Sequence, residues 1–177
     1  MAANQPLWPR AWLMTDERMG DRLWDTVDRL PTGAGLIFRH YSLADVARLE
    51  LGLELAARAR ARQLVVGAAG SRGLAEQIGA ALVHNPDRPG NLPWSMAVHD
   101  ESEAHAAKGA ALAFISPVFA TRSHPGRPAL GVERAVELAA LAGCPAMALG
   151  GMNESQFAPL QERGFHGFAG IDCWLRT

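Results

Sequence analysis

The chain has 177 residues, 49% of them apolar, with 17 basic against 18 acidic groups and a net charge of −1. That length and balance suit one globular domain with a sizeable core and exclude a broad basic surface for nucleic acid or acidic membranes. No apolar run approaches the roughly 20 residues of a membrane helix, and "MAANQPLWPR" has no signal-peptide core, so a cytoplasmic protein without membrane or nucleic-acid partners is expected.

In chain order, short apolar runs predict strands at 11–15 (AWLMT), 34–38 (AGLIF), 63–67 (QLVVG) and 80–84 (AALVH). Four more follow at 94–98 (WSMAV), 111–115 (ALAFI), 145–150 (PAMALG) and 167–171 (GFAGI). Each is nearly continuous and bounded by Gly, Pro or charge, as strands buried on both faces are. Helical periodicity fills most of the gaps. Leu43, Val46, Leu49 and Leu53 form one stripe expected to face the core, and Val132, Val136, Leu138 and Leu141 form another. Ser42 and Asn153 stand where helix N-caps belong.

Strands alternating with helices imply a parallel sheet, and eight of them predict an α/β fold, a compact (β/α)8 TIM barrel spanning residues 1–177 as a single domain. "NPDRPGNLP" after strand four is too proline-rich for a helix, and only "DCWLRT" follows strand eight. Outer helices are therefore expected to be reduced or missing after strands 4 and 8. A second copy could cover the strand surface bared there, giving a homodimer.

In such a barrel the chemistry gathers in the loops after the strands. Those ends carry Asp16, Arg39-His40-Tyr41, Gly67-Ala68-Ala69, His84, His99-Asp100, a loop at 116–131, Gly150-Gly151 and Asp172. The 116–131 loop, "SPVFATRSHPGRPALG", holds Thr121, Arg122, Ser123, His124 and Arg127 without a carboxylate. Hydroxyls and cations so arranged suit a phosphate ester. Gly150 and Gly151 precede a helix whose free N-terminal amides suit the same anion. Thr121, Ser123, Gly150 and Gly151 are thus the expected phosphate-binding residues. His84, His99 and His124 are candidate catalytic groups because imidazole exchanges protons near neutral pH, and Arg39 joins them as an anion contact.

Other chemistries find less support. The single lysine, Lys108, falls at a helix end on the opposite face, which argues against a Schiff base. Gly67, Gly70 and Gly73 lack the dinucleotide spacing. The histidines and the two cysteines, Cys144 and Cys173, share no metal-ligand spacing. No metal site is expected from spacing, and the cysteines read as reduced core thiols.

The segments "WLMTD", "FRHY", "ALVH", "AVHDESEAHAA", "SPVFATRSHPG", "ALGGM" and "GFHGFAGI" resemble, in order, landmarks of the thiamine phosphate synthase and TenI superfamily. The resemblance implies a (β/α)8 barrel of thiamine biosynthesis that binds a phosphorylated thiazole. In the synthases a hydroxymethylpyrimidine pyrophosphate is joined to it with Mg²⁺, releasing thiamine phosphate and pyrophosphate. TenI-like relatives isomerise a thiazole carboxylate phosphate instead. Under this resemblance Thr121 and Ser123 match a Thr-x-Thr pair, and Gly150 and Gly151 match the family's Gly-Gly.

Several positions depart from the synthase pattern. Asp172 stands where a serine is usual, and strand two keeps only Arg39 of a Gln-x-Arg-x-Lys pattern. Gly67-Ala68-Ala69 replaces the Asn-Asp that serves pyrophosphate and Mg²⁺. Ala97 replaces a serine, His124 replaces a lysine, and Ser116 stands where the tautomerases place a histidine. Asp87 and Asp172 are the carboxylates left for a replacement metal site. The resemblance therefore implies a degraded Mg²⁺ and pyrophosphate site. It leaves three activities open: synthase, metal-independent tautomerase and non-catalytic phosphate-ligand binder.

Overall fold

The computed structural model describes residues 8–121 and 128–175. Eight short strands alternate with helices: β1 (Ala11–Met14), β2 (Gly35–Phe38), β3 (Val65–Ala69), β4 (Leu82–His84), β5 (Trp94–Val98), β6 (Leu112–Ile115), β7 (Ala146–Leu149) and β8 (Gly167–Gly170). All neighbours run parallel, and β8 pairs back on β1 through Ala11↔Phe168 and Leu13↔Gly170, closing the barrel as expected. Around it lie α1 (Arg22–Arg29), α2 (Asp45–Ala61), α3 (Arg72–Gln77), α4 (Glu101–Ala106), α5 (Gly131–Ala142) and α6 (Glu154–Glu162). Among the described residues no helix is long and apolar enough to cross a membrane.

The two-residue period of each strand divides its side chains between two cores. Trp12, Met14, Ile37, Leu82, Phe114 and Met147 pack together inside the barrel. Alternate residues such as Leu13, Leu36, Phe38 and Val66 pack outward under the helices. Glycine keeps the small interior from overfilling: a Cβ built on Gly35 would fall 2.3 Å from the Trp12 ring, so the indole uses the space of two side chains.

Among the described residues both expected gaps in the helical layer are present, and the chain fills each with a single side chain. No helix joins β4 to β5. The Arg72 side chain of α3, 2% exposed, reaches into that connection. Its Nε donates to the Arg88 carbonyl at 3.0 Å and its Nη1 to the Leu92 carbonyl at 3.2 Å. After β8 the chain makes a turn in which Trp174 stacks on Phe168 at 5.8 Å and donates from Nε1 to the Trp12 carbonyl at 3.0 Å.

Two local expectations are corrected. The core-facing side of α2 is Gly52, Leu55, Ala56 and Ala59, while Val46 and Leu53 are 70% and 46% exposed. Apolar and charged residues are mixed around this helix, so more than one stripe satisfies its period, and small residues are among those that fit closely against the strands. Ser42 does not cap that helix. Its N-cap is Ala44 without a side-chain bond, and the Ser42 N–H donates to Glu17 Oε1 at 2.7 Å. Asn153 does cap α6, its Oδ1 accepting from Gln156 N–H at 2.9 Å.

Candidate functional site

The loop after β6 is zipped to the end of β7. The Leu149 carbonyl accepts from Val118 N–H at 2.9 Å, and the Gly150 carbonyl accepts from Phe119 N–H at 3.1 Å. The far end of the same loop returns, with Leu130 N–H donating to the Pro117 carbonyl at 2.8 Å and Gly131 N–H to Val118 at 3.1 Å. Thr121 is thereby held beside the two glycines. Gly150 and Gly151 have φ of +91° and +62°, a left-handed backbone that glycine adopts without a steric cost. They also allow close approach: a Cβ on Gly150 would lie 2.7 Å from Pro117 Cα.

Arg39, His99, Thr121, Gly150, Gly151 and Asp172 line one cavity of about 350 Å³ at this mouth. Five of the eight expected site residues therefore converge. Ser123 and His124, with Arg122 and Arg127, lie outside the described residues. The cavity also takes in Cys173, which corrects its reading as a core thiol. Burial pushes that thiol up to about 11, so it is not a nucleophile near neutral pH.

Arg39 is held from two directions. Its backbone N–H donates to Thr15 Oγ1 at 3.0 Å and its Nη2 to Asp16 Oδ2 at 3.1 Å. Burial alone would raise the Asp16 carboxyl. Hydrogen bonds from Arg18 and the charges of Arg18 and Arg39 outweigh it, and the carboxyl titrates below its ordinary range. Thr15 Oγ1 also lies 3.1 Å from His40 Nδ1. Burial lowers the His40 pKa against the pull of Glu17 and Asp16, which keeps this ring neutral at pH 7.

His84 and His99 have different surroundings. The His84 ring is buried, 3.0 Å from Ser95 Oγ through Nδ1 and edge-on to Phe114. Burial, helped by the charges of Arg39 and His99, pushes its pKa down to about 3. It sits beneath the cavity as a neutral group. His99 lines the cavity, with Nδ1 2.8 Å from Glu103 Oε2.

The described residues offer no donor set for Mg²⁺. No group of three or more His, Cys, Asp or Glu among them is arranged to hold a metal ion. Asp16 is bonded to Arg18 and Arg39, Asp87 accepts from Arg72 N–H at 3.1 Å, and Asp100 accepts from Glu103 N–H at 2.9 Å. Strand β3 ends in alanine, and the Ala69 carbonyl accepts from Arg48 Nη2 at 2.8 Å. Among the described residues, the donors present do not fit the Mg²⁺ that the resemblance implies.

Glu103, Thr15 and the Asp16 contact to Arg39 escaped the reading of strand ends. Glu103 had a usable signal, since Asp100 and Glu103 have the spacing of a capping box, whose acid reaches back to the start of the helix. Thr15 and Asp16 had none, because their partners come from another strand.

Known proteins share this sequence and fold. The family model described as thiamine monophosphate synthase matches residues 12–173. The chain is 26% identical over 182 residues to "Putative thiamine-phosphate synthase 2" of Aquifex aeolicus, covering 94% of this chain and 98% of that protein. Among solved structures it is similar to the thiamine phosphate pyrophosphorylase of Pyrococcus furiosus, with a TM-score of 0.79 at 19% identity over 94% of this chain and 87% of that one. It also overlays on the orotidine 5′-monophosphate decarboxylase of Methanocaldococcus jannaschii, with a TM-score of 0.56 at 14% identity over 93% and 89% of the two chains. At these identities the structural likenesses establish the barrel fold alone.

Proposed function

We propose that this chain, which belongs to the thiamine monophosphate synthase family, binds a phosphorylated thiazole at the barrel mouth and isomerises it by acid–base chemistry without a metal ion. The observation that carries the reading is the zipped loop: it brings Thr121 against Gly150 and Gly151 in one cavity with Arg39 and His99. A phosphate suits the glycine side, where the Thr121 hydroxyl, the Gly150–Gly151 backbone and the N-terminus of α6 come together. The ring then extends toward Arg39 and His99. A volume of about 350 Å³ is at the small end of ligand cavities.

Tautomerisation removes a proton from one ring position and returns one at another, so it balances without a co-reactant. It needs a base and an acid within hydrogen-bond reach. His99 and His124 are the candidates, with Arg39 available for a developing negative charge. His84, neutral and buried, supports the floor of the site.

The names of two related proteins favour a second reading, the synthase reaction. That reaction must release pyrophosphate, a leaving group of about three negative charges whose departure Mg²⁺ ordinarily stabilises. Asp16, Asp87 and Asp100 are already bonded to arginine or backbone amides, which weighs against it.

Calorimetric titration with thiazole phosphate in EDTA tests the binding. One-site binding that disappears in a Thr121→Ala/Ser123→Ala variant is expected, and no binding refutes the proposal. Incubation with thiazole carboxylate phosphate then decides turnover. Metal-independent isomerisation is expected. Mg²⁺-dependent pyrophosphate release from the pyrimidine substrate would establish the synthase instead, and binding with neither product would leave a non-catalytic binder.

A further inference from the structure

Three described histidines lie at or beneath the barrel mouth, and their ring partners differ. His40 meets the Thr15 hydroxyl and His84 the Ser95 hydroxyl, partners able to donate or accept. His99 meets a carboxylate, with Nδ1 2.8 Å from Glu103 Oε2. An ionised carboxylate only accepts hydrogen bonds, so Nδ1 must be the donor. A neutral His99 ring then carries its hydrogen on Nδ1 and its lone pair on Nε2.

Glu103 is itself fixed. Its Oε2 also accepts the His99 backbone N–H at 2.7 Å, so one oxygen registers the ring against its own main chain. Its backbone N–H donates to Asp100 Oδ1 at 2.9 Å at the start of α4. The chain Asp100–Glu103–His99 therefore links a helix start to an imidazole on the cavity wall. His99 and Glu103 side chains are 27% and 37% exposed, open enough for the ring to reach a ligand.

The geometry points to Glu103 as a positioning residue that holds His99 in the Nδ1–H tautomer and presents Nε2 to the cavity as a proton acceptor. In the step this serves, Nε2 takes a proton from the ligand ring. The resulting imidazolium keeps its Nδ1–H bond to the carboxylate, and the same proton is returned at the second ring position. This use of the dyad rests on the isomerase reading above, whereas the tautomer itself does not.

Capping alone would give Glu103 a purely structural role, so the decisive readout is the tautomer. Two-bond ¹H–¹⁵N correlation spectra of the unliganded protein, above the imidazole titration range, report which nitrogen of His99 carries hydrogen. Nδ1–H is expected in the wild type and in Glu103→Gln, whose amide oxygen can still accept. Glu103→Ala is expected to relax to Nε2–H, the form usual for an unrestrained side chain. Asp100→Ala is the control for lost capping: it should lower the melting temperature while leaving the tautomer unchanged.

Nε2–H in the wild type, or no change in Glu103→Ala, would overturn the dyad even if thiazole phosphate binds. The expected tautomers without any binding would sustain the dyad and refute the proposed function. Where turnover occurs, Glu103→Ala should lower kcat about 10- to 100-fold with KM unchanged, the scale expected for a misplaced catalytic group. A change confined to KM would also overturn the dyad.

Discussion

Gly151 and Ala120 approach so closely that a Cβ on the glycine would lie 2.5 Å from the Ala120 carbonyl oxygen. This contact holds the loop bearing Thr121 against the end of β7, and it makes the phosphate corner sensitive to one methyl group.

Gly151→Ala should therefore cost more than backbone strain. The left-handed conformation alone costs about 1–2 kcal/mol, and overpacking adds about 1–3 kcal/mol. Gly164 is the matched control, with φ of +92° and nothing within 4 Å of its built Cβ. Urea midpoints should fall further for Gly151→Ala than for Gly164→Ala, and only the former should lose thiazole phosphate binding. Equal losses in both variants would contradict the close packing.

His84 predicts a component of acid sensitivity. Its folded pKa of about 3 lies below the ordinary histidine value of 6.5, so on acidification the unfolded chain takes up a proton that the buried ring refuses. The stability it contributes is present above about 6.5 and is lost as pH falls toward 3. A single group of this kind gives a slope of about 1.4 kcal/mol per pH unit within its window. His84→Gln cannot titrate, and subtracting its urea stability from the wild type's between pH 7 and pH 4 should isolate that slope. Parallel curves would show that His84 titrates normally.

Arg39 joins the ends of β1 and β2 and faces the cavity, so its replacement separates binding from folding. Arg39→Met should weaken thiazole phosphate binding by about 10- to 100-fold, the loss expected for one charge-assisted hydrogen bond of about 1.5–3 kcal/mol. Its partner Asp16 keeps the Arg18 contact, and the melting temperature should move little. Calorimetry and a thermal melt check both. Unchanged affinity would place the phosphate and ring away from Arg39.

Arg72 performs the work of the absent helix between β4 and β5. Arg72→Ala removes a buried side chain and leaves the Arg88 and Leu92 carbonyls without their donor. A loss of about 2–5 kcal/mol is expected, as for other large-to-small changes in a core, together with new proteolytic cleavage within 86–93. Denaturant midpoints and mass analysis of the fragments measure both effects.

The barrel was legible because strands buried on both faces must be continuously apolar: six of the eight predicted runs overlap the observed strands by four residues or more, the run at 63–67 shares three residues with β3, and the three-residue β4 lies wholly within the run at 80–84. The missing helix between β4 and β5 was equally legible, since proline excludes it. The face of α2 was not. Leu43, Val46, Leu49 and Leu53 have helical spacing, yet Gly52, Leu55, Ala56 and Ala59 face the strands. In a helix whose Leu and Ala residues are interleaved with charges on every side, spacing alone cannot choose a face. Backbone proximity favours the small residues, and only the assembled barrel sets that proximity.

The candidate site divides along the same line. The sequence by itself determined that Thr121, Gly150, Gly151, Arg39 and His99 occupy strand ends, because alternation of strand and helix puts those loops at one mouth of the barrel. Only the tertiary structure decided which of them share a cavity and in what state. His84 ends β4 and His99 follows β5, yet one lies beneath the cavity beside Ser95 and the other lines it beside Glu103. That difference comes from burial and from the partner each ring meets, which depend on neighbouring elements and on the loops that close over the strand ends. Local sequence selects the element, and packing between elements sets its chemistry.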